Sequence, residues 1–264
     1  LIFSSELKSI NKINKNKSIN FDAIYSYLHL GYIPSEETIN QNTFKLKPGS
    51  YIEFNENEIK THYYWKPENK ILNKTFNNFN SSKKTLKGLI QDSVKRRLIS
   101  DVPIGTFLSG GTDSSLISAI AQEVNGKPIN TFSIGFEDAK HNESHHAKKV
   151  ANHLKTNHHE FILKEKDAIN ELEAVMGNFD EPFTDSSALP TMLVSKMARR
   201  HVTVCLSGDG GDELFMGYNR YQIANNLNWI LNLPNFFKKF IMQIIKLGSI
   251  NQWNTISKVF SNRF

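Results

Sequence analysis

The chain has few of the features that disulfides, membrane spans or secretion require. It contains one cysteine, Cys205, among 264 residues, so no internal disulfide can form. That usage fits a reducing compartment, and we expect a cytoplasmic protein. No apolar run reaches the length of about 18 residues that a membrane span needs, and no signal peptide is visible. The first residue is Leu1 rather than Met, so we expect part of a longer protein.

A strong charge of one sign is also missing. The chain carries 32 Lys and Arg against 26 Asp and Glu, a net charge of +6, and the basic residues are scattered. This modest excess fits compositional drift, or attraction for an anionic small molecule, better than a nucleic-acid surface. Basic residues interleaved with aromatic ones, which would indicate RNA binding, do not occur. We therefore expect neither a nucleic-acid nor a membrane partner.

Several familiar ligand motifs are absent. The pairs His145-His146 and His158-His159 lack a zinc spacing such as His-Glu-x-x-His, so we expect surface or helix-end histidines. A Gly-x-x-x-x-Gly-Lys-Ser/Thr sequence does not occur, which excludes a Walker A loop. Full EF-hand spacing is missing too.

The pattern along the chain predicts three parts. Residues 1–66 indicate short strands around one helix, which begins near Phe21. Residues 67–82 are rich in Asn and Ser and suit a linker. From residue 83 to residue 264, short apolar strands alternate with amphipathic helices. This alternation predicts an α/β fold, a parallel sheet with helices on both faces that binds ligands at the carboxyl ends of its strands.

The predicted elements of the third part have definite bounds. The strands are expected at residues 104–108, 129–134, 159–163 and 202–206. The helices are expected at residues 83–99, 114–124, 143–154, 168–177 and 188–200, followed by a helical tail from residue 222. The apolar stripe from Phe236 to Ile245 is interpreted as a face that packs on protein, with a membrane-surface helix as the alternative.

The first motif with chemistry is Ser109-Gly110-Gly111-Thr112-Asp113-Ser114-Ser115, between a predicted strand and a predicted helix. Its glycines let the backbone approach a ligand, and the N–H groups at the helix start attract an anion. Three serines add hydroxyl groups. Asp113 would repel a bare phosphate, so it indicates a bridging cation, most simply Mg²⁺. A Gly-Ser turn that caps the helix with Asp113 is the alternative.

The second motif is Ser207-Gly208-Asp209-Gly210-Gly211-Asp212-Glu213, which follows the last predicted strand. Glycines mixed with carboxylates suit a metal–phosphate platform. Asp212 could share a cation with Asp113 if the two strand ends are neighbours. A simple acidic turn is the alternative, but two such loops are more specific than either alone.

These segments resemble a known family. Phe107–Ser115 resembles the pyrophosphate loop of the N-type ATP pyrophosphatases, and Cys205–Phe215 with Gly217–Tyr221 is similar to the second loop of glutamine-dependent asparagine synthetases. The segments Thr131–Phe136, Asn142-Glu143 and Asp180–Pro190 occur in the order expected for the family, and Phe3–Lys8, Lys47-Pro48-Gly49 and Tyr64-Trp65 resemble the end of its glutaminase domain.

The resemblance implies an adenine nucleotide alpha hydrolase-like domain at residues 83–264, carboxyl-terminally incomplete. A small, mainly β remnant of an Ntn-hydrolase-type glutaminase domain precedes it at residues 1–66. The implied activity is ATP-dependent amidation of a carboxylate, aspartate by default, through an acyl-adenylate with release of AMP and pyrophosphate. ATP, Mg²⁺, the carboxylate and ammonia from glutamine are the implied cofactors and substrates. A homodimer is compatible with the complete protein.

The resemblance also implies a role for each residue that matches a family motif. The adenine pocket would be lined by Leu108, Ile134 and Gly135, and the pyrophosphate would be held by Ser109, Gly110, Gly111, Ser114 and Ser115. Mg²⁺ would be bound by Asp113 and Asp212, and the ribose and α-phosphate would be covered by Ser207 and Gly208. The catalytic candidates are Asp209, which would steer the acceptor or ammonia, and Asp180, which would lie near the acceptor pocket.

The chain departs from the family in several places. It has no amino-terminal cysteine, so we expect no glutamine hydrolysis, and it ends before a later lysine of the family. Cys205 is interpreted as a buried structural residue rather than a nucleophile. Thr112 replaces an aliphatic residue and Met216 a common glycine. Two alternatives remain: another enzyme with the same loop, for tRNA modification or nucleotide amidation, and a truncated nucleotide-binding remnant without activity.

Overall fold

A computed structural model describes residues 1–14, 18–34, 36–56, 58–70, 78–137 and 142–249. The chain divides after Gly208 into two compact units, Leu1–Gly208 and Asp209–Phe264. This division does not test the domain and linker boundaries inferred from the sequence, which stay a prediction.

The amino-terminal part of the first unit consists of two helices and a hairpin. Helix α1 spans Leu7–Ile13 and α2 spans Phe21–Leu30, where the sequence predicts a helix. The side chain of Asn20 accepts the N–H groups of the first turn of α2, and Gly31, at φ +80°, ends the helix. Strands β1 (Ser50–Phe54) and β2 (Ile59–Tyr63) pair antiparallel, and a 3₁₀ turn follows at Pro67–Lys70.

The rest of the first unit is built on a four-stranded parallel sheet, as predicted. Its strands are β3 (Ile104–Phe107), β4 (Asn130–Phe136), β5 (Asn157–Leu163) and β6 (Val204–Leu206), in the spatial order β5-β4-β3-β6. Thr106 of β3 pairs with Thr131 of β4 on one side and with Leu206 of β6 on the other. The carboxyl ends of β3 and β6 are therefore neighbours.

Five helices alternate with these strands. They are α3 (Phe79–Arg97), α4 (Thr112–Asn125), α5 (Ser144–Leu154), α6 (Glu165–Asn178) and α7 (Ala188–Ala198). Helix α3 begins at Phe79 rather than at the predicted Lys83, because the side chain of Asn78 accepts the N–H of Asn80 and caps an earlier turn.

Helices cover both faces of the sheet, as predicted. Thr106 points to one face, where its hydroxyl lies 2.8 Å from the hydroxyl of Ser118 in α4. The next residues along β3 and β4 point to the other face, where Phe132 packs against Val194 and Ala198 of α7. Successive strand residues alternate between faces, so α4 and α7 lie on opposite sides.

The second unit is helical in its described part. Helices α8 (Gly211–Phe215), α9 (Asn219–Leu231) and α10 (Asn235–Leu247) follow one another. Phe236, Phe237 and Met242 of α10 are exposed, and most other side chains of the predicted apolar stripe lie outside the described residues. In the described part of the chain, no helix has the length and apolar character that crossing a membrane requires.

The expectation of surface or helix-end histidines is wrong for His158 and His159. Both lie half-buried on β5. The ring of His158 is within hydrogen-bond distance of the hydroxyls of Thr131 (2.9 Å) and Ser133 (3.2 Å). Two adjacent histidines fit a strand because they point to opposite faces, each against its own buried neighbours.

Candidate nucleotide-binding site

The loop after β3 is held close to the start of α5. The N–H of Leu108 donates to the carbonyl of Phe132, and the Leu108 side chain is fully buried against Ala147 and Ala151. Gly110 follows at φ +88°, and a Cβ there would lie 2.6 Å from the backbone nitrogen of Ala147. Only glycine fits so close an approach of the two backbones, which explains why position 110 is a glycine.

The serines of this loop form a small hydrogen-bond network. The hydroxyls of Ser109 and Ser114 lie 2.8 Å apart, and the Ser114 hydroxyl also accepts the N–H of Ser109. The N–H of Gly111 donates to the Ser109 hydroxyl at 3.3 Å. The hydroxyl of Ser115 is buried and, within the described residues, has no hydrogen-bond partner. An unpaired buried hydroxyl is costly, so this position fits a polar ligand.

The loop opens directly into α4, with Gly111 as the residue before the helix. Glycine has no side chain that could cap the first N–H groups of the helix, which leaves them to other acceptors. A helix of this length carries a partial positive charge at its amino end, where an anion is stabilised. The half-buried Asp113 lies in that first turn and adds a carboxylate beside the N–H groups.

The loop after β6 touches the same helix end. A Cβ on Gly208 would lie 2.7 Å from the backbone nitrogen of Ser114 and 2.9 Å from the carbonyl carbon of Asp113. Ser207 and Gly208 therefore extend from one strand end onto the helix that starts after the neighbouring strand. The structure brings these two predicted residues together with the Ser109–Ser115 loop.

The end of β4 supplies the third side of this arrangement. Ile134 is half-buried and Gly135 is buried, and a Cβ on Gly135 would lie 2.8 Å from the Ser144 hydroxyl and 2.9 Å from the Asn142 side-chain oxygen. The Asn142 oxygen accepts the N–H of Ser144 at 3.0 Å. Asn142 and Ser144 thus lie against the strand end, and glycine at 135 leaves room for them.

The rest of the second motif belongs to the second unit. Gly210, at φ +88°, precedes α8, and a side chain on Gly217 would collide with the carboxylate of Asp212. The hydroxyl of Tyr218 donates to Glu213 at 2.8 Å and holds the pKa of that carboxyl below its usual value. Met216 has φ +58°, a left-handed conformation that explains why the family commonly has glycine there.

Asp180 has an ionic contact with the amino-terminal part of the chain. One of its side-chain oxygens lies 3.8 Å from the ammonium of Lys8 in the amino-terminal part. The proposed role near an acceptor pocket stays a prediction, as do the individual ligand assignments of the two loops.

Cys205 behaves as a packing residue. It is half-buried on β6 and contacts the cluster around Phe132, and this burial raises the pKa of its thiol to about 11. A thiol with so high a pKa is almost entirely protonated near neutral pH, which argues against a nucleophile.

The donor set for a metal is sparse. Within the described ranges, no three His, Cys, Asp or Glu side chains gather into a metal-binding group. Mg²⁺ is commonly held by one or two carboxylates together with substrate phosphates. Asp113, next to a loop suited to phosphates, fits that mode of binding.

Sequence comparison identifies the family. Residues 85–259, more than half of the chain, match the family described as asparagine synthase. The chain belongs to the asparagine synthase family. Residues 1–65 of the chain match the glutamine amidotransferase domain. Both matches agree with the resemblance carried by the two glycine-rich loops and by the segments before residue 66.

Two curated relatives show the extent of the similarity. The chain is 43% identical over 244 residues to a putative glutamine-hydrolyzing asparagine synthetase 2 of Methanocaldococcus jannaschii, covering 90% of the chain and 46% of the relative. It is 34% identical over 251 residues to the glutamine-hydrolyzing asparagine synthetase 1 of Bacillus subtilis, covering 92% and 38%. The chain thus spans less than half the length of these relatives.

A solved structure gives a weaker likeness. An NH3-dependent NAD synthetase of Campylobacter jejuni covers 52% of the chain and 60% of its own length, at 14% identity and a TM-score of 0.37. No conclusion follows from a likeness at that level.

Sequence reasoning missed the residues that join the amino-terminal part to the sheet. Glu181 and Thr184 lie within the segment Asp180–Pro190, and their partners are far away in the sequence. Glu181 contacts Lys45 and Ile39, and Thr184 contacts Gly31. The segment Asp180–Pro190 was noted only for its resemblance to the family. Which lysine pairs with Glu181 depends on the fold.

Proposed function

We propose that this chain is the ATP-handling part of an enzyme that amidates a carboxylate, with aspartate as the default acceptor. The observation that carries the proposal is the contact of Gly208 with the first turn of α4, directly beside the Ser109–Ser115 loop. Backbone N–H groups and hydroxyls at the ends of neighbouring parallel strands, at the start of a helix, suit a bound phosphate. Membership of the asparagine synthase family supports the same conclusion.

The first half of the reaction activates the carboxylate. A carboxylate resists ammonia because oxide is a very poor leaving group. Its oxygen would attack the α-phosphorus of ATP, the bond to pyrophosphate would break, and an acyl-adenylate would form. The N–H groups at the start of α4, with the hydroxyls of Ser109, Ser114 and Ser115, would stabilise the charge that develops on the departing pyrophosphate.

The second half forms the amide. The nitrogen of ammonia would attack the acyl carbon, the carbon–oxygen bond to AMP would break, and the excess proton would leave to a base or to water. Asp209 is the proposed residue for steering the acceptor or ammonia, and Asp180 is proposed to lie near the acceptor. In the complete enzyme ammonia would come from glutamine, consistent with the match of residues 1–65.

The remaining predicted residues would hold the nucleotide. Leu108, Ile134 and Gly135 are proposed to line the adenine pocket, and Ser207 with Gly208 to cover the ribose and α-phosphate. Asp113 would hold Mg²⁺ together with phosphate oxygens, and the assignment of Asp212 to a metal stays a prediction from the sequence. When bound there, this ion would offset negative charge on the phosphates.

Calorimetric titration with Mg·ATP tests the proposal. We expect the chain to bind, and Asp113→Ala to weaken binding by about tenfold or more, because a carboxylate beside the phosphates is lost. Asp101→Ala is the matched control. Asp101 is an exposed carboxylate before the amino end of β3, whereas the Ser109–Ser115 loop follows the carboxyl end of that strand. A folded wild-type chain without affinity for Mg·ATP would contradict the proposal and favour an inactive remnant.

The acceptor needs a separate assay on the complete protein. Formation of AMP that requires both aspartate and ammonia supports the amidation proposed here. Formation of AMP without any carboxylate, but with a tRNA or a nucleotide as acceptor, would instead identify another enzyme with the same loop.

A further inference from the structure

The short segment between α6 and α7, residues 180–184, makes its principal polar contacts with the amino-terminal part of the chain. It carries two carboxylates and a threonine, and each meets a partner within residues 8–45. The partners are Lys8, Tyr27, Gly31, Ile39 and Lys45. The two regions match different domains, glutamine amidotransferase and asparagine synthase. The segment therefore connects, through its contacts, the region that matches asparagine synthase with the region that matches glutamine amidotransferase.

Glu181 makes the strongest of these contacts. One of its oxygens accepts the N–H of Ile39 at 2.7 Å, and the other lies 2.7 Å from the ammonium of Lys45. Lys45 also donates to the carbonyl of Ile33 at 3.0 Å. The Glu181 side chain is only 16% exposed, so its charge is poorly screened by solvent. Hydrogen bonds with a charged, partly buried carboxylate are stronger than neutral ones.

Thr184 adds a second contact at the end of α2. Its N–H donates to the carbonyl of Gly31 at 2.8 Å, and its hydroxyl lies 2.8 Å from the hydroxyl of Tyr27. Gly31 is left-handed at φ +80°, and a Cβ there would lie 3.4 Å from the carbonyl oxygen of Thr184. The backbones therefore approach closely, which fixes the distance between α2 and the segment.

We propose that Glu181 is a positioning residue, which holds the glutamine amidotransferase region on the synthase region in one orientation. The inference rests on the proposed function, because it gives this orientation a role in the transfer of ammonia. Ammonia released in one region reaches an acyl-adenylate in the other only while the two stay aligned. Fixed relative placement of reacting groups is worth several orders of magnitude in rate.

Hydrogen exchange on the 264-residue chain tests the contact between the two regions itself. We expect Glu181→Ala to speed exchange at Ile39 and at Thr184 by about tenfold, since a charge-assisted contact is lost. Glu181→Gln keeps an oxygen that can accept the Ile39 N–H, so its effect is expected to be smaller. Lys45→Met added to Glu181→Ala is expected to cause little further change, because both residues serve one contact.

The matched control is Glu171→Gln. Glu171 forms a 2.7 Å ion pair with Lys196, between α6 and α7 and thus inside the synthase region. Breaking it is expected to leave exchange at Ile39 unchanged. The proposal is overturned if Glu181→Ala and wild type exchange equally at Ile39 and Thr184, or if Glu171→Gln has the same effect as Glu181→Ala. If Glu181→Ala does not fold, Glu181→Gln and Lys45→Met carry the same comparison.

A kinetic readout on the complete protein tests the coupling. We expect Glu181→Ala to lower glutamine-dependent amidation about tenfold while ammonia-dependent amidation stays near wild type. A general loss of structure would lower both rates together and would overturn the positioning role. A wild-type protein without amidation from either nitrogen source would contradict the proposed function alone, because the exchange result stands independently of it.

Discussion

At the scale of single residues, the backbone at Gly110 determines the path of the Ser109–Ser115 loop. Its φ of +88° is open to glycine and strained for other residues, and the space for a Cβ is already taken by the backbone of α5. Gly88 is the opposite case, since it lies exposed in the middle of α3 and a Cβ there would meet nothing within 4 Å. Glycine is therefore required by the backbone conformation and packing at position 110, whereas at position 88 neither requires it.

Substituting these glycines by alanine gives opposite results. We expect Gly110→Ala to lower the free energy of unfolding by about 2 kcal/mol or more, from strain and collision, and to weaken ATP binding. Gly88→Ala should raise it by about 0.5–1 kcal/mol, because alanine restricts the unfolded chain and favours helix. Urea unfolding of both variants measures the difference. Equal effects would show that the loop backbone is not constrained as described.

At the scale of elements, a buried hydrogen bond ties β3 to α4 and so fixes the loop between them. The hydroxyls of Thr106 and Ser118 lie 2.8 Å apart, and both residues are fully buried. Such a pair contributes little net stability, but either member alone is costly to bury. The Ser109–Ser115 loop connects the two elements, so their separation determines its shape.

This hydrogen bond can be tested by a double-mutant cycle. Thr106→Val keeps the side-chain shape but leaves the Ser118 hydroxyl without its partner, so we expect a loss of about 1–3 kcal/mol in the free energy of unfolding. Adding Ser118→Ala should restore much of it, since no unpaired hydroxyl remains buried. The four unfolding curves of the cycle measure the coupling. Purely additive losses would contradict the pairing of these two hydroxyls in a buried hydrogen bond.

At the scale of the whole molecule, the histidines of β5 make the sheet sensitive to acid. Burial lowers the pKa of His158 below its ordinary value of 6.5; the charge of Glu160 opposes this in part, and those of His159 and Lys148 add to it. Burial and the neighbouring His201 lower the pKa of His159 in the same way. The ring of His159 stacks on the ring of Phe132, with centroids 5.1 Å apart, and lies tilted beside the ring of His201, with centroids 3.9 Å apart. A proton on either ring is bound less readily in the folded state than in the unfolded state.

The chain should therefore lose stability as pH falls below about 6.5, the ordinary pKa of histidine. Between the lowered folded pKa and that value, the unfolded state binds more protons, so the free energy of unfolding rises with pH. Above that value the contribution is fully present. Urea midpoints at several pH values for wild type and His158→Gln measure it, and the variant should depend less on pH. His29→Gln, at an exposed position on α2, is the control and should follow wild type.

Much of this architecture was predictable from local patterns. Strands β3 to β6 and helices α4 to α7 lie within a few residues of their predicted bounds, because buried strands and amphipathic helices have distinct apolar periods. The start of α3 was misplaced because one capping asparagine among many cannot be recognised without its contact. The histidine pair on β5 was misjudged because adjacent residues on a strand face different environments.

The sequence by itself determined the family, the parallel α/β sheet and the two glycine-rich loops, since these depend on residue types at short and fixed spacings. Only the tertiary structure decided which groups meet: Gly208 against the first turn of α4, Gly110 against α5, and Glu181 against Lys45. The physical reason is that these contacts join residues distant along the chain. Strand order and the packing of helices set such distances, and neither leaves a local signature in the sequence.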